Sequence, residues 1–113
     1  MQTGVDGEAV AAEYLEKKGY AVLERNYRYR KAEVDLIVRK GNWLVFVEVK
    51  TRSNNSFGFP EEFVDREKEE NVLLAAAEYM YRLNWEGNVR YDIVAVLGVE
   101  MEREVMHFED AFY

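Results

Sequence analysis

Asp35, Glu48 and Lys50 place two carboxylates and an ammonium inside apolar runs where a sheet would ordinarily carry apolar side chains. Val34-Asp35-Leu36-Ile37 and Val45-Phe46-Val47-Glu48-Val49-Lys50 are rich in β-branched and aromatic types, which suits buried or half-buried strands. Gly41-Asn42 between them reads as a two-residue hairpin turn, with glycine supplying the positive φ. With those two as the loop, Lys40 pairs with Trp43 and Asp35 falls opposite Glu48. Opposed Cβ atoms then lie about 4.5–5.5 Å apart, and like charges there repel. Alternation puts Lys50 on the face of Glu48, Phe46 and Leu44. Two acids are tolerated in such a place when a cation stands between them: a divalent metal, the lysine, or both. The convergence needs this register, because a slip of one residue sends the two acids to opposite faces. A solvated Glu–Lys pair on an exposed sheet is the plain alternative. Leu44, Phe46 and Ile37 on the same face weigh against it.

Helices and further strands must hold this hairpin. Thr3-Gly-Val-Asp6 resembles a capping box, with Thr3 as N-cap, opening a helix from Gly4 to Lys18 that stops at Gly19. Val10, Ala11, Tyr14 and Leu15 form its apolar stripe. Glu8 falls on the inward side of the first turns, either as a partner of the helix dipole or as a third carboxylate aimed at the sheet. A strand is expected over Tyr20–Glu24, and the stretch Arg25 to Lys31 alternates basic and aromatic residues. That stretch suits phosphate contact and base stacking, or an ordinary charged strand or loop. Thr51 to Pro60 is a polar loop of the kind that carries substrate contacts at strand ends. Glu61–Leu83 is helical, with Val72, Leu73, Ala76, Tyr79, Met80 and Leu83 on one side. Arg90–Val99 is a second strong strand, broken by Asp92, for which a structural role is expected. Val105–Phe108 is a short last strand, with His107 packed or at an edge. The order is α-β-β-β-α-β-β, an α/β layer with a mixed sheet covered by helices.

Composition narrows the chemistry. The 113 residues suit one domain spanning the chain, and 49% hydrophobic with 33% charged residues is a globular balance. No cysteine is present, so disulfides, zinc thiolates and cysteine nucleophiles are excluded, and one histidine excludes a multi-histidine zinc site within the chain. A metal would be held by oxygens, which suits Mg²⁺ or Mn²⁺. The apolar runs are short for a membrane span, and a basic segment followed by an apolar one is lacking at the N-terminus, so a cytoplasmic protein without membrane attachment is expected. Net charge is −7, yet Val22–Arg52 holds eight Lys/Arg against four Asp/Glu. Positive charge is thus concentrated on the segment with the candidate site, where it can steer a phosphate backbone.

The motifs Gly7-Glu8, Arg25-Asn26-Tyr27-Arg28, Glu33-Val34-Asp35-Leu36-Ile37, Val45 through Arg52, Phe57-Gly58, Pro60-Glu61, Lys68 and Arg90-Tyr91-Asp92 resemble the YraN family. That is a bacterial group of predicted endonucleases with the restriction-endonuclease-like fold. The likeness runs over nearly the whole chain, and its broader pattern is similar to the PD-(D/E)XK nucleases and archaeal Holliday-junction resolvases. The resemblance implies Asp35 and Glu48 as Mg²⁺ (or Mn²⁺) ligands, with Glu8 as the helical acid completing the site. It implies Lys50 near the attacking water. Two positions depart from the family: Ala32 stands where glycine is usual, and Glu67, Glu69 and Glu70 surround Lys68 where the helix start is usually basic.

The expectation is therefore a restriction-endonuclease-like domain that hydrolyses phosphodiester bonds in DNA, branched or single-stranded forms included. Arg25, Arg28, Arg30, Arg52 and Lys68 are its candidate phosphate contacts, and a homodimer is compatible with the fold. The acidic second helix favours a rival, a nucleic-acid-binding or assembly module that does not cleave efficiently. A weaker third is an acidic partner of another protein.

Overall fold

The structure is a computed structural model that describes residues 6–52, 66–98 and 103–111. Among the described residues seven elements follow one another: α1 (Gly7–Lys17), β1 (Ala21–Tyr29), β2 (Ala32–Lys40), β3 (Trp43–Arg52), α2 (Arg66–Leu83), β4 (Asn88–Leu97) and β5 (Glu104–Phe108). Their order is the α-β-β-β-α-β-β read from the sequence. The strands form one sheet in the order β1-β2-β3-β4-β5, antiparallel except where β3 meets β4. A parallel neighbour needs a crossover, and α2 lies in the connection between those two strands.

Each helix covers one face of the sheet. On one side Ala11, Ala12 and Leu15 of α1 pack with Leu36, Val38, Val45, Val47, Val94 and Val96. On the other, Val72, Ala75, Ala76 and Tyr79 of α2 pack with Ile37, Leu44, Phe46, Ile93, Ala95 and Leu97. Strands covered on both faces read as continuous apolar runs, which is why Leu44–Val47 and Ile93–Leu97 do not alternate with polar residues. β1 is an edge strand and is only partly buried.

Several boundaries differ from the sequence expectation. Asp6 is itself the N-cap of α1, its carboxylate accepting from the Ala9 N–H at 3.3 Å, so the helix begins at Gly7 and not Gly4. The expected Thr3 cap lies outside the described residues, as do the Thr51–Pro60 loop from residue 53 onward and residues 61–65 of the expected second helix. Gly19, at φ +100, follows the α1 C-cap Lys18 as expected. β1 runs past Glu24 through the basic and aromatic stretch, because pairing with β2 gives that stretch backbone partners as far as Tyr29. On α2, Ala75 takes the buried position and Leu83 stands 46% exposed in the last turn.

Asp92 has the structural role expected of it, in the sheet interior and not at an edge. It is fully buried between β3 and β5. Arg90 donates to both its oxygens at 2.9 and 2.8 Å, and the Asp110 N–H donates at 2.9 Å. His107 Nε2 lies 2.7 Å from Oδ2 and its Nδ1 2.8 Å from Lys18 Nζ. An ammonium can only donate, so Nδ1 accepts and Nε2 carries the proton given to Asp92. Arg90 also reaches the Tyr20 hydroxyl at 2.6 Å. Burial alone would raise the Asp92 carboxyl, but the hydrogen bonds from His107 and Arg90 outweigh it and hold it below the usual range. The network joins the C-terminal end of α1 to β4 and β5. Asp92→Ala should therefore cost about 3–5 kcal/mol in a urea titration at pH 7, because it strands a buried guanidinium. A depressed carboxyl contributes stability above its unfolded pKa and loses it as pH falls through the folded one. The two midpoints should accordingly converge in acid.

Candidate metal centre

The hairpin turn has the expected register. Lys40 faces Trp43, Ile37 faces Phe46, and Gly41 sits at φ +60. The β2–β3 ladder ends at Leu36–Val47, one pair short of Asp35 and Glu48. Val34 and Ile37, three apart, both pack on the α2 side, so the alternation of β2 slips around Asp35. The Asp35 side chain takes up the backbone group left over: its Oδ2 accepts from the Val49 N–H at 2.8 Å. Where direct opposition was expected, the carboxylate stands in for the missing rung. It remains electrostatically coupled to Glu48.

Glu48 is 4% exposed on the α2 face. Lys50 Nζ lies 3.3 Å from its Oε2, the contact expected from alternation along β3. Lys68 Nζ lies closer, at 2.6 Å. Burial would lower the Lys68 ammonium, but the hydrogen bond and charge of Glu48, with Asp35 and Glu33 behind, raise it. Oε1 of Glu48 is buried and, among the described residues, has no hydrogen-bond partner. An orphaned carboxylate oxygen in such a place costs about 1–3 kcal/mol or more unless a ligand satisfies it.

Asp35 is half-buried, and its carboxyl is pushed from 3.8 up to about 7. Burial is the largest cause, then the charges of Glu48 and, more weakly, Glu8; the Val49 N–H and Lys68 pull the other way. Glu8 thus acts on the site from the first turn of α1. Glycine at position 7 permits that approach. A Cβ there would collide with the Thr51 hydroxyl at the end of β3. A raised Asp35 beside the charge of Glu48, whose repulsion a cation would relieve, fits a hard divalent ion together with the unpartnered oxygen. Among the described residues no three acids or histidines gather closely enough to form a ligand cluster. The fit is thus for Asp35 and Glu48 with water completing the shell, which suits Mg²⁺, an ion often bound by one or two carboxylates.

The expected phosphate contacts divide. Lys68 belongs to the site itself, a role the sequence reading missed. Its spacing before Val72, Ala75, Ala76 and Tyr79 puts it on the extension of the buried stripe of α2, which was the available signal. Arg25, Arg28 and Arg30 lie along β1 and its turn, all exposed. Arg28 pairs with Glu33 at 3.5 Å, and Arg30 covers the Tyr29 ring at 5.1 Å. Arg52, exposed at the end of β3, donates to the Thr51 carbonyl.

Two substitutions probe this geometry. A carboxyl raised on folding contributes stability present below about pH 4 and lost as pH rises through about 7. Asp35→Asn, with no proton to lose, should exceed the native chain in stability at pH 8 by about 1–3 kcal/mol, the gain vanishing near pH 4 in parallel denaturant titrations. Gly7→Ala should destabilise by about 1–3 kcal/mol, since α1 must lift from β3. Glu8 would move with it, and the Asp35 titration followed by NMR should shift downward.

Comparison with known proteins agrees with the motif resemblance. The model of the uncharacterised protein family UPF0102 matches residues 7–96. The UPF0102 protein FP2501 of Flavobacterium psychrophilum is 46% identical over 110 residues, covering 97% of this chain and 92% of the relative. The UPF0102 protein of Flavobacterium johnsoniae is 45% identical over 116 residues, covering 99% and 94%. That of Bacteroides thetaiotaomicron is 42% identical over 112 residues, covering 99% and 93%. Among solved structures, the SPO1766 protein of unknown function from Silicibacter pomeroyi is similar with a TM-score of 0.42 and 14% identity, covering 96% of this chain and 74% of its own. With residues 7–96 matched by the family model and nearly its whole length covered by these relatives, the chain belongs to the UPF0102 family.

Proposed function

We propose that the protein is a Mg²⁺-dependent endonuclease of the restriction-endonuclease-like class, acting on DNA. The observation that carries this is the buried Glu48, with one oxygen unpartnered and the other shared by Lys50 and Lys68, beside an Asp35 that its neighbours disfavour as an anion. Asp35 and Glu48 would hold the ion, and Glu8 would add negative charge from α1. When bound, Mg²⁺ supplies charge that polarises a phosphodiester and lowers the pKa of water. Lys50, 18% exposed beside Glu48, would orient the attacking water and donate to the oxygen that gains charge as the P–O bond breaks. Lys68 is placed to leave Glu48 for the same phosphoryl oxygens, since a substrate anion can replace the carboxylate as its partner. Water adds across the P–O bond, leaving a phosphate monoester and a protonated leaving hydroxyl.

A binding or assembly module that does not cleave is the second reading. Two observations favour it: the lysines already neutralise Glu48, and no three-acid cluster is present among the described residues. The discriminating experiment is cleavage of duplex, single-stranded, forked and four-way DNA, and of RNA, with Mg²⁺ or Mn²⁺. Native protein should cut at least one substrate. Lys50→Ala and Asp35→Ala should each lower the rate about 100-fold or more, with circular dichroism unchanged. Mg²⁺ should raise the native melting temperature and not that of Asp35→Ala. Binding without cleavage, indifferent to both substitutions and to the ion, would select the module.

A further inference from the structure

A groove beside the metal centre carries an inference about which nucleic acid the site takes. It runs between the β1–β2 turn and α2 in two lobes that share Lys31, Ala32 and Asn71. The inner lobe, about 300 Å³, adds Glu33, Glu67 and Lys68. The outer lobe, about 260 Å³, adds Tyr29, Arg30 and Leu74. Lys68 is common to the groove and the centre, reaching Glu48 at 2.6 Å.

The outer lobe is lined by a tyrosine ring, a guanidinium over it and an aliphatic side chain from the helix. Arg30 covers Tyr29 at 5.1 Å, and Leu74 stands 60% exposed where the core does not need it. Aromatic and guanidinium planes stack nucleobases irrespective of sequence. Asn71, common to both lobes, presents an amide donor and acceptor, the pair that a base edge requires. Glu33 and Glu67 oppose a phosphate deep in the inner lobe, so the base and sugar belong inside. Lys31 at the turn is left for a flanking phosphate. A base stacked in a duplex has its faces and pairing edge occupied and could not enter.

We infer that this groove is a subsite for an unpaired nucleotide adjoining the scissile phosphate, making the substrate a nucleic acid with a single-stranded segment or an extruded base. The inference rests on the nuclease reading for the word scissile, but the groove can be tested without cleavage. Two DNAs of equal length, one fully paired and one with an unpaired 2-aminopurine beside the junction, would be compared in cleavage with Mg²⁺ and in fluorescence with Ca²⁺. The native protein should prefer the second by about tenfold or more, as stacking of one base allows, and should quench its fluorescence. Asn71→Ala and Leu74→Gln, checked for folding by thermal melting, should each shrink that ratio several-fold and weaken the quenching. A preference that survives both substitutions, or cleavage with no preference, would overturn the groove. Quenching that the variants lose, without cleavage by any form, would uphold the groove and overturn the nuclease. Neither quenching nor preference would overturn the groove whatever the enzyme does.

Discussion

Two carboxylates kept near one another in a partly dry place dominate this structure. Their mutual repulsion and desolvation oppose folding, and the surroundings answer each separately. Asp35 is steadied by the Val49 N–H that the shortened ladder leaves over, and Glu48 by two ammonium groups on one of its oxygens. Neither answer is complete: the Asp35 carboxyl is still raised to about 7, and Oε1 of Glu48 has no partner. An interior selected for stability alone would hold aliphatic side chains at both positions, since buried charge seldom repays its desolvation. Uncompensated costs of this kind cluster at functional sites.

The rest of the fold supplies what that centre needs. The sheet, covered on both faces, encloses β3, on which Glu48 and Lys50 are mounted. α1 approaches β3 closely enough for Glu8 to act on Asp35 because residue 7 has no side chain to meet Thr51. α2 delivers Lys68 from the opposite face. The Asp92 network does comparable polar burial with the opposite outcome. Every oxygen there is satisfied, by Arg90, His107 and the Asp110 N–H, and the carboxyl is held low. Half-buried Asp35 on β2 and fully buried Asp92 on β4 thus differ in the direction of their pKa shift according to how far their hydrogen bonds are filled.

Charge is distributed to match. A net −7 protein would repel a polyanion at long range, yet basic residues line β1, its turn and the ends of β2 and β3. Attraction at such a stripe acts within about a Debye length, roughly 8 Å at physiological salt.

By itself the sequence determined the element order, the Gly41 turn and the convergence of Glu48 with Lys50, because these follow from local periodicity and from neighbours two residues apart. It also singled out Asp35, Asp92 and Glu8 as acids in apolar company. Only the tertiary structure decided what each meets. Lys68 comes to Glu48 across twenty positions of sequence, His107 and Lys18 come to the Asp92 network from distant elements, and Gly7 is where α1 closely approaches Thr51. It also decided that the β2–β3 ladder opens at Asp35, where strict alternation would have continued it. Alternation within a strand tells which face a side chain takes. Which element covers that face, and where a ladder gives way to a side chain, depends on contacts that no single period in the sequence encodes.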